Sequence, residues 1–128
     1  MSMYSLAISP ISGFLQLVPR IQFTENITHQ DGVCKVNHIH IASSDKKSEY
    51  ILPQNPKSGN WIKIFSESES GWLLHIPYSQ KVILQNGMRI LNEAHKIYSN
   101  MNKFDFIHLV YIGKAWHIEN KSYTLGIS

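Results

Sequence analysis

Apolar side chains alternate along the segment from Phe104 to Ile112 and occupy both of its sides. A period of two places successive side chains on opposite faces, so the segment predicts a β-strand. One side carries Phe104, Phe106, His108, Val110 and Ile112, and the other carries Asp105, Ile107, Leu109 and Tyr111. A strand that is apolar on nearly both faces needs protein cover on both sides.

Shorter β-rich runs repeat along the chain and are separated by turn signals. The runs are 33–41, 60–65, 72–76, 81–85, 115–119 and 122–127, and the signals include Asp31-Gly32, Asn86-Gly87 and Gly113-Lys114. Short strands alternating with Gly-, Pro- and Ser-rich turns are typical of sandwiches and barrels. We therefore predict a single all-β domain over residues 1–128, with a β-sandwich or jelly-roll-like antiparallel architecture.

Two stretches leave alternatives open. Apolar residues within 90–101 fall at helical spacing, so this stretch predicts either one short helix or a strand with a long loop. Residues 1–20 contain two prolines and no clear period, which is compatible with an N-terminal arm.

Composition and charge exclude several classes of protein. Hydrophobic residues make up 43% and charged residues 16%, which is incompatible with a mostly disordered chain. The net charge is +3, and the basic residues are scattered from Arg20 to Lys121, so no nucleic-acid partner is expected. No apolar run approaches 18 residues and no signal peptide is recognisable, so we expect synthesis in the cytoplasm and no membrane insertion. Cys34 is the single cysteine, which rules out an intrachain disulfide and favours a small core residue.

The sharpest candidate for chemistry is His38-Ile39-His40. On a strand both imidazoles leave the same face, roughly 6.6–7 Å apart along the chain. Imidazole is a common ligand of transition metals, so His38 and His40 are candidate metal ligands. The alternative is that both are hydrogen-bonded histidines at the surface or at an interface.

Aromatic side chains are the candidates for ligand binding. Trp61, Trp72 and Trp116 could stack on sugar rings, although tryptophan on a strand is usually buried in a core or an interface. Trp72 lies beside a loop and Tyr78 lies at a turn, so these two are the predicted exposed, ligand-binding pair. No complete catalytic constellation is recognisable, and we expect no enzymatic activity.

The order of motifs across residues 50–127 resembles β-rich modules of phage tail-fibre proteins and of bacterial adhesin-like or prophage proteins. The matching segments are Tyr50-Ile51-Leu52-Pro53, Ser58-Gly59, Asn60 to Ile64, Gly71 to Ile76, Gln80 to Ile83, and the closing hairpin from Asp105 to Ile118 with Ser122-Tyr123. The chain departs from the pattern between Met88 and Asn102, where the family tends to be rich in Gly, Thr and Ser. The resemblance implies a β-rich receptor-binding head that forms a homotrimer and recognises a surface carbohydrate or protein. It also implies association with a virion or similar particle.

Resemblance also suggests two metal sites. In phage fibre and spike proteins, His-x-His pairs from three chains meet on the threefold axis and bind an iron-type ion, a role that would fall to His38 and His40. The same region resembles the first cupin motif through Gly32, the two histidines and Asp45. The second cupin motif is incomplete, because Val82 stands where that family has its third histidine ligand. A cupin-like metal- or ligand-binding barrel and a purely structural virion or prophage protein are therefore the alternatives to a binding module.

Overall fold

The computed structural model describes residues 26–84, 89–100 and 103–128. They form β1 (Ile27–Thr28), β2 (Gly32–Val33), β3 (His38–Ala42), β4 (Ser48–Ile51), β5 (Trp61–Ser66), β6 (Trp72–His75), β7 (Val82–Ile83), β8 (Ile90–Leu91), β9 (Lys96–Tyr98), β10 (Phe106–Ile112), β11 (Ala115–Lys121) and β12 (Gly126–Ile127). The all-β prediction is confirmed. Within these ranges no helix is long and apolar enough to cross a membrane.

The strands form two sheets that share one core. The seven-stranded sheet has the order β1-β3-β5-β10-β11-β7-β8, and the five-stranded sheet has the order β12-β9-β6-β4-β2. Fully buried side chains from both sheets pack together between them, including Ile62, Ile64, Ile107, Leu109 and Trp116 from the first sheet and Tyr50, Trp72, Leu74 and Ile97 from the second. This arrangement is sandwich-like, as expected.

The first six strands alternate between the sheets. Strands β1, β3 and β5 lie side by side in the larger sheet, and β2, β4 and β6 lie side by side in the smaller one. Because the chain completes a circuit before it returns to a sheet, neighbouring strands in this half run parallel. The sheets are therefore mixed, whereas the sequence had suggested antiparallel pairing.

The second half of the chain closes the sandwich with hairpins. Strands β10 and β11 pair antiparallel across the two-residue turn Gly113-Lys114. Gly113 has a φ of 67°, which is the conformation that the first central residue of a type II′ turn requires. The predicted turn at Gly113 is thus confirmed, whereas the predicted turn at Asn86-Gly87 lies outside the described residues.

For the segment 90–101 the sequence predicted either one short helix or a strand with a long loop. Its described part, 89–100, forms β8, a turn and β9, so the strand alternative is correct. Ile97 and Leu91 are fully buried, because each strand pairs with a sheet and points one side chain into the core. The predicted arm at residues 1–20 and the end of the helical pattern at Met101 lie outside the described residues.

Candidate functional site

The side of the seven-stranded sheet that faces away from the core, here called the outer face, is unusually apolar. Strand register aligns its side chains in three rows that cross neighbouring strands. The rows are Ile41–Phe65–Phe106, Ile27–Ile39–Lys63–His108–Asn120, and Trp61–Val110–His117–Ile83–Ile90. Most of these side chains are half-buried in the isolated chain. A contiguous apolar area of this kind usually marks an interaction site.

The outer face follows directly from the sequence of β5 and β10. Ile62 and Ile64 point into the core from β5, as Ile107 and Leu109 do from β10. The side chains between them must point outward, and these are aromatic or aliphatic at most positions. One side of β10 therefore faces the core and the other lies largely half-buried on the outer face, and the expected protein cover of this second side stays a prediction.

An open depression of about 670 Å³ lies on the outer face. Its lining consists of Ile39, Gly59, Trp61, Lys63, His108 and Val110. A volume of roughly 300–1,000 Å³ is typical of small-molecule sites, so the depression has room for a ligand. We call it the Trp61 depression.

Asn37, the residue directly before β3, sets the position of Trp61. Asn37 adopts a φ of 60°, and its Oδ1 accepts a hydrogen bond from the Trp61 backbone N–H at 3.0 Å. The Asn37 backbone N–H donates in turn to the Trp61 carbonyl at 2.6 Å. The Trp61 indole meets the His108 ring edge-on, with centroids 6.1 Å apart and an interplanar angle of 86°. The two backbone hydrogen bonds and the ring contact thus position the indole in the lining of the depression.

Lys63 and His108 give the depression its charge. They face each other across β5 and β10, and Lys63 Nζ lies 5.7 Å from the centroid of the Phe106 ring. Within the described ranges, no carboxylate lies within ion-pair distance of Lys63. Burial lowers the pKa of His108, the nearby Lys63 charge lowers it further, and Glu119 opposes the change. The depression therefore presents a cation beside a histidine that favours its neutral form.

A β-bulge lies next to this pair. In the β10–β11 ladder, Leu109 pairs with Ile118 and His108 pairs with Asn120, so Glu119 is the extra residue on β11. Bulges change the direction of neighbouring side chains and are frequent beside functional sites.

The row of the outer face that contains Phe65 and Phe106 ends beside Phe104, and we call these three residues the aromatic corner. The rings of Phe65 and Phe104 lie 5.8 Å apart. Phe104 is 62% exposed and has a φ of 70°, a left-handed conformation that is strained for a bulky residue. Its backbone N–H donates to the Ser66 carbonyl at 2.9 Å, which holds the chain in this conformation.

The predicted metal ligands differ in what their ring nitrogens do. His40 is buried, its Nε2 accepts a hydrogen bond from the Lys35 backbone N–H at 2.9 Å, and its Nδ1 lies 3.2 Å from the Lys63 carbonyl oxygen. This pattern assigns the proton to Nδ1, and burial lowers the pKa of His40. His38 Nδ1 donates to the Val36 carbonyl at 2.8 Å.

These hydrogen bonds occupy ring nitrogens that a metal ion bound between His38 and His40 would need. The two rings lie 6.4 Å apart, but His40 would have to give up a backbone partner before it could bind an ion. No group of three or more His, Cys, Asp or Glu side chains arranged for a metal exists in the described part of the chain. Val82, at the cupin position for a third ligand, is fully buried. The metal site at His38 and His40 stays a prediction.

The predicted ligand pair separates in the structure. Trp72 is fully buried, because β6 points it into the core, where its backbone N–H donates to Ser99 Oγ at 2.8 Å. The expectation that Trp72 is exposed is therefore wrong. Tyr78 is 81% exposed at the turn after β6, as expected. Ligand binding by Tyr78 stays a prediction, and Trp72 has no surface to offer a ligand.

Other reactive groups are satisfied or shielded. Burial raises the pKa of the Cys34 thiol to about 12, so the side chain is a core residue and not an activated nucleophile. His75 Nε2 and Glu49 Oε1 lie 2.9 Å apart on the exposed side of the smaller sheet.

Sequence reasoning considered Trp61 as one of three tryptophans but did not connect it with Lys63 and His108. The alternation within 60–65 and 104–112 carried the signal, but the pairing of β5 with β10 was needed to join them.

The sequence matches no protein-family model, and no curated protein gives a significant match to it.

Proposed function

We propose that this chain is a non-enzymatic binding module that acts as a homotrimer and recognises a carbohydrate or protein on a surface. The proposal combines the resemblance to tail-fibre and adhesin modules with one structural observation, the apolar outer face of the seven-stranded sheet. That face places aromatic and aliphatic side chains where a solvated sheet would carry polar ones.

The aromatic corner is the part of the outer face best suited to contact a second copy. Phe104 keeps a ring largely in solvent at the cost of an unfavourable backbone conformation. Such strain costs on the order of 1–3 kcal/mol and is typical of positions kept for function. Aromatic side chains also dominate the binding energy of protein interfaces. These arguments support self-association through Phe104 and its neighbours.

A purely structural virion or prophage protein is the second candidate. It would use the same apolar face for assembly, so oligomerisation alone does not separate it from a receptor-binding module. Binding of a soluble ligand does separate them, because a structural protein needs none. For the cupin-like alternative, metal in a purified monomer or dimer would be the supporting result.

The first experiment is light scattering on the full chain at micromolar concentration. We expect a mass three times that of the chain. Phe104→Asn should lower the mass towards the monomer, because asparagine tolerates a positive φ and removes the exposed ring. Tyr123→Asn is the matched control, since Tyr123 is an aromatic residue that is 99% exposed and lies outside the corner.

The outcomes are separable. A stable monomer of the unmodified chain at micromolar concentration would refute the trimer. A trimer that survives Phe104→Asn would remove the aromatic corner from the interface. The non-enzymatic part is tested by broad activity screening of the same sample, and turnover that a single His or Glu substitution abolishes would overturn it.

A further inference from the structure

We propose that the Trp61 depression binds an acidic sugar, a ring that bears a carboxylate. This inference rests on the proposed binding function and names the site and the ligand class. The site differs from the predicted Trp72 and Tyr78 pair, of which one member is buried.

The shape of the depression suits one or two sugar rings. It is open to solvent, has a volume of about 670 Å³, and includes the apolar side chains of Ile39 and Val110 in its lining. Gly59 has a φ of 97° and an added Cβ would meet nothing within 4 Å, so this end of the depression is unobstructed. The Trp61 indole offers a flat π-surface, whose negative face attracts the weakly positive C–H groups of a sugar ring.

The charge of the depression selects an acidic ligand. Lys63 lines the depression, and its ammonium lies 5.7 Å from the centroid of the neighbouring Phe106 ring, with no carboxylate of the described residues at ion-pair distance. His108 beside it supplies a ring nitrogen that can donate to or accept from a sugar hydroxyl. Glu119 acts on His108 from the bulge in β11, and His117 lies one row away on the outer face. A carboxylate placed at Lys63 would gain a charge-assisted hydrogen bond in a partly apolar environment.

The chemistry favours a sugar over an extended acidic peptide. An extended peptide binds a sheet by adding a strand to it, and this requires a sheet edge whose backbone groups are unpaired. Strands β5 and β10, which carry Trp61, Lys63 and His108, are both interior strands with partners on each side. The depression therefore offers side-chain contacts to a compact ring and no backbone ladder to a peptide.

The test is titration of the full chain with defined probes by calorimetry and saturation-transfer NMR. The probes are 3′-sialyllactose, a hyaluronan tetrasaccharide, lactose as the neutral control, and a glutamate-rich peptide. We expect binding of at least one acidic sugar and no binding of lactose. The two acidic probes distinguish a sialic acid from a uronic acid as the source of the carboxylate.

Variants locate the site. Lys63→Gln should weaken acidic-sugar binding by about tenfold, the effect of losing one charge-assisted hydrogen bond. Trp61→Leu should weaken it as well, and the NMR signals of the sugar C–H groups should lose saturation transfer. Lys96→Gln on the other sheet and Tyr78→Ala at its exposed turn are the matched controls and should leave binding unchanged.

Light scattering of the same samples keeps this inference distinct from the proposed assembly. A trimer that binds no acidic sugar would overturn this inference and leave the trimer standing. A monomer that binds an acidic sugar would support this inference and refute the trimer. Binding that persists in both Lys63→Gln and Trp61→Leu, that depends on Tyr78, or that is limited to the acidic peptide would also overturn the site.

Discussion

The imidazole of His40 meets the ring of Tyr50 edge-on, with centroids 5.7 Å apart and planes at 76°. His40 belongs to the seven-stranded sheet and Tyr50 to the five-stranded sheet, so this contact joins the two layers inside the core. Both side chains are polar and almost completely buried. A hydrogen bond that either side chain makes or lacks therefore influences stability more strongly than one at the surface.

We expect Tyr50→Phe to raise the free energy of unfolding by about 1 kcal/mol. The Tyr50 hydroxyl is buried and makes no hydrogen bond of normal geometry with a described residue, although the Ser48 side chain lies close to it. A buried hydroxyl without a hydrogen bond costs on the order of 1–3 kcal/mol. Urea unfolding of both proteins measures the difference. Tyr78→Phe, at an exposed position, should change nothing, and a loss of stability in Tyr50→Phe would mean that the hydroxyl has a partner.

Stability should fall as the pH drops below about 6.5, the ordinary pKa of histidine, because burial lowers the pKa of folded His40. Below 6.5 the unfolded chain takes up a proton that folded His40 still refuses, so protonation favours unfolding until the lowered pKa is reached. The charges of His38 and Lys35 lower the pKa of His40 further, whereas hydrogen bonding with the backbone of Lys63 and His38 opposes the change. His108, whose pKa burial also lowers, adds a similar dependence of its own.

The measurement is the unfolding free energy between pH 7.5 and pH 5 for the unmodified chain and for His40→Gln. Gln can still accept the hydrogen bond from Lys35, so the variant should fold and should show a shallower pH dependence. His29→Gln, at an exposed position, is the control and should keep the original slope. An unchanged slope in His40→Gln would show that other groups carry the acid sensitivity.

If His38 and His40 are hydrogen-bonded residues and not metal ligands, the alternative that the His40 contacts favour, added Fe²⁺ or Zn²⁺ should leave Tm unchanged at neutral pH. His40 uses both ring nitrogens on backbone atoms, so binding at His38 and His40 would exchange existing hydrogen bonds for metal bonds. Thermal unfolding with and without each ion, together with metal analysis of the purified protein, provides the check. A metal-dependent rise in Tm that disappears in His38→Gln would instead support the threefold-axis site.

Gly71→Ala should destabilise the fold by about 2–3 kcal/mol more than Gly59→Ala. Both glycines have positive φ values, 75° and 97°, so the backbone penalty is similar. Only at Gly71 would the added Cβ collide with the buried Ser99 Oγ, which holds the Trp72 backbone. Comparison of the two variants by urea unfolding isolates the collision, and equal losses would contradict it.

Local pattern predicted much of the fold. The period-two runs located β3, β5, β6, β10 and β11, and Gly113 marked the tightest hairpin. The pattern did not reveal that β1 to β6 alternate between sheets. The alternation of apolar residues within a strand shows which side chains share a face, but it does not show which distant strand is the pairing partner. The helical spacing in 90–101 lost to pairing with β6 and β7, an instance of tertiary context overriding a weak local preference.

Orientation was harder to predict than strand position. On β3 the polar His40 points into the core and the apolar Ile39 points to the outer face, which reverses the usual rule. His40 is tolerated inside because two backbone groups satisfy it. Trp61 and Trp72 both begin a strand, yet one lines the depression and the other fills the core, so residue type alone could not separate them.

The alternation of β1 to β6 between the two sheets also determines how such a chain can change in length. Each circuit adds one strand to both layers at once, so gain or loss of a whole circuit would preserve the pairing of all the others. Insertion of one residue inside a strand would instead exchange its core and outer faces. Related sequences should therefore differ by whole circuits or by loop insertions, and the spacing within each strand should be the most constant feature among them.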